Sequence, residues 1–315
     1  MIVAHSVKEA GRDPASVVTV GTFDGVHLAH AKIIREVVSR AKMREGRSVV
    51  VTFDPHPKQV VGRARGPVEL LSTIGERVDL IGMLGVDILL VLEFTYAFSR
   101  ISPADFYRTC VIDGTGVDEV IVGYDHMFGR DRAAGISELI HMGKEFDFSV
   151  FAVHPFTVEG VTVSSTVIRK ALGAGDVERA SRFLGRPYSF SGTVVKGDGR
   201  GKTIGFPTAN IRPASESKIV PAHGVYAVGV RLGEEQHYGM MNIGFRPTVA
   251  TVPAETIEVH LFDFDRDIYG EQVAVSFLRR LRDERKFDSL SDLVEQLGRD
   301  REEARQTLLE RPGMG

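Results

Sequence analysis

The stretch VTVGTFDGVHLAH, residues 18–30, begins as a strand and ends as a helix. Between them Gly21 and Gly25 let the backbone turn sharply and approach a ligand closely. His27 and His30 are three apart and point the same way from the helix's first turn. Free N–H groups and the positive end of the helix dipole draw an anion there, and the imidazoles add donors. Two other readings compete: plain surface polarity, and a metal held by both histidines. Zinc would need a third ligand, for which His56 and Asp24 are the available candidates. The glycines and the helix start favour a phosphate, and hence a nucleotide.

Working outward, the runs SVVTVG, SVVVTF, DILLVLEF, DEVIVG and FSVFAV are short, β-branched and nearly continuous, as strands buried on both faces are. Helical segments alternate with them. Ile33, Ile34, Val37, Val38 and Ala41 form a stripe that Gly46 is expected to end, and Ser102-Pro103 reads as an N-cap followed by the first helical residue. Strand–helix alternation implies a doubly wound α/β domain with a parallel sheet. Ligands bind beyond the carboxyl ends of such strands. There lie GTFDGVHLAH, TFDPHP with His56 between two prolines, GYDHMFGR with Asp125 and Phe128, and, after a loop, VSSTVIRKAL, where Ser164, Ser165 and Thr166 would cap a helix. His56 reads equally well as a turn histidine, and Asp125 as a structural cap.

After GRPYSFSG the period changes to two. GVYAVGVRL, YGMMNIGF, TIEVHLFDF and QVAVSFLRRL alternate apolar and polar residues and are divided by Gly, Pro and Asn. A small antiparallel β-barrel is expected, closed by a terminal helix over about 289–310 with Leu290, Leu293, Leu297, Ala304 and Leu308 as its stripe. The expected domains are 1–184 and 185–315.

A chain of 315 residues suits two domains. Its 43% hydrophobic and 26% charged residues are those of a soluble globular protein. A formal net charge of −3 argues against a general nucleic-acid or membrane-surface binder. Cys110, the single cysteine, excludes an intramolecular disulfide and a cysteine-based metal knuckle, and reads as a packed thiol. MIVAHSVKEAGRDP has no signal pattern and no apolar run approaches membrane-spanning length, so a cytoplasmic location is expected.

The second half carries GDGRGKTIGFPTAN. Gly197, Gly199, Gly201 and Gly205 with Arg200 and Lys202 describe a flexible basic loop suited to phosphates, or a simple hairpin. Thr208 and Asn210 alternate to one face of an extended segment, and their oxygens suit Mg²⁺ carried by a nucleotide. Glu258 and His260 share one face of a strand whose other face is Ile257, Val259 and Leu261. Glu258 is either solvated surface or a general base.

GTFDGVHLAH resembles the HxGH motif of the nucleotidyltransferase superfamily. With TFDPHP, VGYDHMFGR and VSSTVIR it resembles the FAD synthetase module of bacterial bifunctional riboflavin kinase/FMN adenylyltransferases. GFPTAN, PAHGVYAV, NIGFRPTV, EVHLFDF and LRDERKF resemble the riboflavin kinase module of the same family, in the same order. The resemblance implies that riboflavin is phosphorylated to FMN and FMN adenylylated to FAD, each with MgATP. It implies that His27 and His30 stabilise the adenylyl transition state. Gly21, Phe23, Asp24 and Gly25 would lie on ATP, and Ser164, Ser165, Thr166 and Arg169 would hold the leaving phosphates. His56, Asp125, Phe128 and Arg282 would lie near flavin. In the kinase module Glu258 would be the base, Thr208 and Asn210 would bind Mg²⁺ and phosphate, and Gly197, Gly201 and Lys202 would clamp the nucleotide. Transient self-association and transfer of flavin to apoflavoproteins complete the expected partners. Ala29 departs from the motif's glycine, and Val167 from an arginine. Those departures keep two alternatives open: a riboflavin kinase with an impaired or altered nucleotidyltransferase site, and a flavin-binding storage protein.

Overall fold

The computed structural model describes residues 1–62, 68–124, 135–197, 200–245 and 255–310. They form two compact units, Met1–Ser165 and Thr166–Gly315.

The first unit is built on a six-stranded sheet in the order β1-β4-β3-β2-β5-β6, every pair parallel. Its strands are β1 (Ile2–Ala4), β2 (Val17–Val20), β3 (Ser48–Asp54), β4 (Ile88–Glu93), β5 (Glu119–Gly123) and β6 (Ser149–Val153). The central ones are buried on both faces, with Val49, Val50, Val51, Leu89, Leu90, Val120 and Ile121 nearly inaccessible, which is why they read as continuous apolar runs. Strand β1 escapes a sequence reading because three residues, one of them Ile2 at 63% exposure, carry no period. The helices are α1 (Val7–Ala10), α2 (Leu28–Met43), α3 (Pro57–Val61), α4 (Ile74–Gly82), α5 (Pro103–Phe106), which runs into a π-helical turn over Tyr107–Ile112, and α6 (Ile136–Phe146). A two-stranded hairpin, β7 (Thr157–Val158) and β8 (Val161–Thr162), follows. Helix α2 ends three residues before Gly46, and Glu45 takes the left-handed turn with φ 52°. Cys110 is half-buried against the core.

From β2 the chain moves outward through β3 to β4, then returns to place β5 on the other side of β2. The order therefore reverses between β2 and β5, and the carboxyl ends there are the place for a ligand.

The second unit carries α7 (Ser165–Gly173), α8 (Val177–Leu184) and a closed antiparallel barrel in the order β10-β13-β12-β11-β14-β9. Its strands are β9 (Ser189–Val195), β10 (Ala209–Pro213), β11 (Gly224–Leu232), β12 (Glu235–Phe245), β13 (Glu255–Leu261) and β14 (Gln272–Arg282), with α9 (Arg200–Thr203) between the first two. Residues 166–184 pack within this unit. The Ala222 N–H donates to the Leu172 carbonyl, and Arg280 donates to the carbonyls of Ala174 and His223. Helix α10 (Leu290–Leu309), capped by Ser289, lays Val294, Leu297, Ala304 and Leu308 on Ala227, Met240 and Leu278 of the barrel. Leu290, expected in that stripe, is 62% exposed.

Candidate active sites

Strand β2 ends in a turn held from several directions. His27 is the N-cap of α2: its Nδ1 accepts the His30 N–H at 3.3 Å, so the neutral ring carries its proton on Nε2. The two imidazoles stack with centroids 3.6 Å apart, and the edge of Phe23 meets His30 at 5.2 Å. Burial holds His30 well below the usual imidazole range, with His27 adding in the same direction. His30 is therefore neutral near pH 7 and acts as a hydrogen-bonding group rather than a cation. Its Nδ1 is buried with no hydrogen-bond partner among the described residues, a nitrogen that a ligand oxygen would satisfy.

Phe23 and Val26 sit at φ 46° and 38°, in a region that side-chain-bearing residues rarely adopt. Such strain persists only where surroundings over-determine it. Gly25, at φ 82°, donates its N–H to Ser72 Oγ at 2.7 Å. The Asp24 carboxylate, 1% exposed, accepts from the N–H groups of Leu71 and Ser72 and from the Ser72 hydroxyl. Ser165 donates its hydroxyl to the Asp24 carbonyl at 3.0 Å. A Cβ on Gly21 would stand 3.1 Å from the Phe23 ring, a tight contact that the ring would have to ease.

At the end of β3, His56 caps α3: its Nδ1 accepts from the Lys58 N–H while its own N–H donates to Gln59 Oε1. Ser164 and Ser165 are half-buried at the start of α7, and Thr166 and Arg169 follow on that helix. Asp125 and Phe128 lie outside the described residues.

The second constellation is built on paired barrel strands. Asn210 on β10 lies directly opposite Glu258 on β13, so both side chains emerge on one face. Thr208 donates its hydroxyl to Glu258 Oε2 at 3.3 Å. The glycine-rich segment lies against these groups: a Cβ on Gly197 would stand 2.1 Å from Asn210 Nδ2, and one on Gly201 2.2 Å from the Phe206 carbonyl oxygen and 3.2 Å from Thr208 Oγ1. The Phe206 N–H closes the loop on the Gly201 carbonyl. His260 donates from Nδ1 to the Pro207 carbonyl at 2.8 Å, with its ring between Phe206 and Phe262. Burial lowers its pKa, and Arg301 and Arg305 work the same way, against the raising effect of the Pro207 hydrogen bond. Lys202 is exposed. Thr208, Asn210 and Glu258 bring oxygen atoms together here, and oxygen donors are the ligands a hard cation such as Mg²⁺ favours.

The chain matches two family models: FAD synthetase over residues 10–167 and riboflavin kinase over residues 184–308. It is 38% identical to the bifunctional riboflavin kinase/FMN adenylyltransferase of Listeria monocytogenes, over 93% of this chain and 92% of that one. The enzyme of that name from Bacillus subtilis is 38% identical, over 95% and 94%. The chain belongs to the bifunctional riboflavin kinase/FMN adenylyltransferase family. A solved structure described as a macrolide-efflux protein from Streptococcus pneumoniae shares the fold with a TM-score of 0.85 and 35% identity, covering 96% of this chain and 98% of that one. Among the described residues no helix is long and apolar enough to cross a membrane.

Within this family member, sequence reasoning passed over three features that the fold assembles. Phe53, near the carboxyl end of β3, forms a half-buried cluster with Phe94, Phe98 and Phe106, its ring centroid 5.6, 6.1 and 6.0 Å from theirs. Four phenylalanines scattered over 54 residues leave no local signal. The second is the role of Leu71 and Ser72 as the anchor for Asp24 and Gly25. The third concerns Arg282, which was expected near flavin. Its guanidinium grips Asp300, itself 1% exposed, through Nε at 2.9 Å and through the terminal nitrogen at 2.7 Å. That pair ties the end of β14 to α10.

Proposed function

We propose that this chain phosphorylates riboflavin to FMN in its barrel and adenylylates FMN to FAD at the turn after β2, using MgATP for each step. Adenylyl transfer belongs to residues 1–184 and phosphorylation to 185–315 in this reading, in the cytoplasm, with riboflavin, FMN and ATP as substrates. The observation that supports it is the pair of constellations in one chain: the stacked His27–His30 pair at the α2 N-terminus, and Thr208, Asn210 and Glu258 brought together on the barrel.

In the first step of the sequence, Glu258 accepts the proton of the ribityl 5′-hydroxyl as its oxygen bonds to the γ-phosphorus, and the bond to the ADP oxygen breaks. Thr208 and Asn210 would hold the Mg²⁺ that accompanies the nucleotide, which would supply neutralisation of phosphate charge. Gly197, Gly201 and Lys202 belong to the loop that covers the nucleotide. In the second step an FMN phosphate oxygen attacks the α-phosphorus and pyrophosphate leaves. No covalent enzyme intermediate is needed, so alignment and charge stabilisation are the protein's task. His27 and the orphaned nitrogen of His30 donate to the phosphate oxygens. Gly21, Phe23, Asp24 and Gly25 shape the turn, Asp24 by anchoring it. Ser164, Ser165, Thr166 and Arg169 take the leaving phosphates. The flavin ring is assigned to the phenylalanine cluster at the ends of β3 and β4 together with His56; Asp125 and Phe128, assigned to flavin from the sequence, lie outside the described residues. Arg282 serves the kinase product site by fixing the segment after β14. Transient self-association and transfer of FAD to apoflavoproteins complete the reading.

Incubation of the purified protein with riboflavin and MgATP, with products separated chromatographically, tests it. FMN and then FAD are expected. FMN alone would assign an impaired or altered nucleotidyltransferase to the first unit, and retention of unmodified riboflavin would make the protein a flavin store.

A further inference from the structure

Arg77 lies on α4 in the sequence IGERVDL, which carries no motif, yet it is 1% exposed and among the largest fully buried side chains of the described residues. Its Nη1 donates to the Thr22 carbonyl at 3.0 Å, to the Phe53 carbonyl at 3.1 Å and to Thr52 Oγ1 at 3.2 Å. Its Nη2 stands 3.6 Å from Asp54 Oδ1, and its Nε has no partner among the described residues. Thr22 opens the turn that leads to His27, and Phe53 and Asp54 close β3 ahead of His56. One cation therefore joins the two strand ends that carry three predicted site histidines. Five residues earlier on the same segment, Ser72 holds Asp24 and Gly25. The turn with strained Phe23 and Val26 is thus gripped at Thr22 from one side and at Asp24–Gly25 from the other.

A buried arginine is a costly way to satisfy carbonyls when structure alone is at stake, because the charge must leave water. Asp54 is its only ion-pair partner among the described residues, and that side chain is 46% exposed. Burial lowers the guanidinium from its ordinary value while Asp24 and Asp54 oppose that fall; arginine side chains keep their charge in proteins. A fixed positive charge beneath a turn that receives polyphosphate is an asset for the reaction as well as a brace.

We infer that Arg77 is a positioning residue for adenylyl transfer, fixing the Gly21–His30 turn and the Asp54–His56 loop relative to each other so that ATP and FMN meet in line. The inference rests on the reading that adenylyl transfer occurs at the His27 turn. Displacement of a reacting group by about 1 Å costs of the order of 10²-fold in rate.

The experiment compares Arg77→Lys, Arg77→Met, His27→Ala and Val49→Ala with the native full chain, each checked for folding by circular dichroism. Val49 is fully buried at the far end of β3 and serves as a control for destabilisation of the same unit. FMN adenylylation and riboflavin phosphorylation are measured at varied ATP. Arg77→Met should lose about 10²-fold in kcat for FAD formation, more than in KM for ATP, and Arg77→Lys should recover part of it. Val49→Ala should keep its kcat, and phosphorylation should persist throughout. If Arg77→Met does not fold, Arg77→Lys carries the test, with a loss of at least about tenfold expected. The inference is overturned if the folded Arg77 variants form FAD at native kcat, or if Val49→Ala slows the step equally. If His27→Ala forms FAD at the native rate, the location of the reaction fails and the role of Arg77 falls with it. If His27→Ala is inactive while both Arg77 variants are active, only the role of Arg77 is refuted.

Discussion

Replacing Gly197 with alanine adds a single methyl group at a place where the backbone itself tolerates it, since Gly197 lies outside the left-handed region. The methyl carbon would stand 2.1 Å from Asn210 Nδ2 and 2.8 Å from Asn210 Cγ, whereas ordinary contact starts at 3.4 Å. Either the amide or the loop must retreat by about 1.3 Å. Asn210 faces Glu258 across the β10–β13 pair, so the retreat displaces a group assigned to phosphate and Mg²⁺ by more than the distance that typically costs about 10²-fold. Riboflavin phosphorylation should fall by about that factor, with the thermal midpoint little changed, because a side-chain end rather than core packing absorbs the clash. FMN adenylylation by the same sample is the internal control and should be unaffected. A double-mutant cycle makes the reasoning refutable: once Asn210→Ala has removed the amide, Gly197→Ala should cost little more. Additive losses, or a Gly197→Ala kinase at full rate, would show that the contact between the loop and Asn210 is irrelevant to phosphoryl transfer.

Further outcomes separate the two chemistries. Glu258→Gln keeps shape but removes the base, so phosphorylation should fall by about 10²–10⁴-fold while FAD formation from supplied FMN continues; loss of both in folded protein would defeat the assignment of independent sites. His27→Ala should do the reverse, cutting adenylyl transfer by at least about 10²-fold as a donor is lost. It should also cost about 1 kcal/mol of stability as the α2 cap goes; a variant as stable as the native chain would contradict the capping geometry. Burial lowers His30 and His260 from the ordinary imidazole value in the fold, whereas an unfolded imidazole protonates at about pH 6.5. The unfolded chain therefore binds more protons below that pH, and stability present above it should be lost as the pH falls. Urea midpoints measured from pH 7.5 to 5.5 should decline, and His30→Gln should flatten the decline; a flat native profile would refute the burial argument.

The alternation of apolar runs and helical stripes determined by itself that the first half is a parallel α/β sheet, because strands buried on both faces must be apolar throughout. Period two determined that the second half is antiparallel, and GTFDGVHLAH and GFPTAN marked the two candidate sites because tight turns and close ligand approach favour glycine, proline and small polar residues locally. Those are short-range constraints, and they are written in contiguous residues. Tertiary structure decided the rest. The edge strand β1 exists only by pairing with β4. The Arg282 guanidinium turns to Asp300 because α10 folds back over the end of β14. Asp24 works through Leu71 and Ser72, and Arg77 through Thr22 and Phe53, partners separated by 24 to 55 positions. No local pattern announces such pairs, since the burial that makes a lone carboxylate or guanidinium seek a distant backbone partner exists only once the sheet has formed.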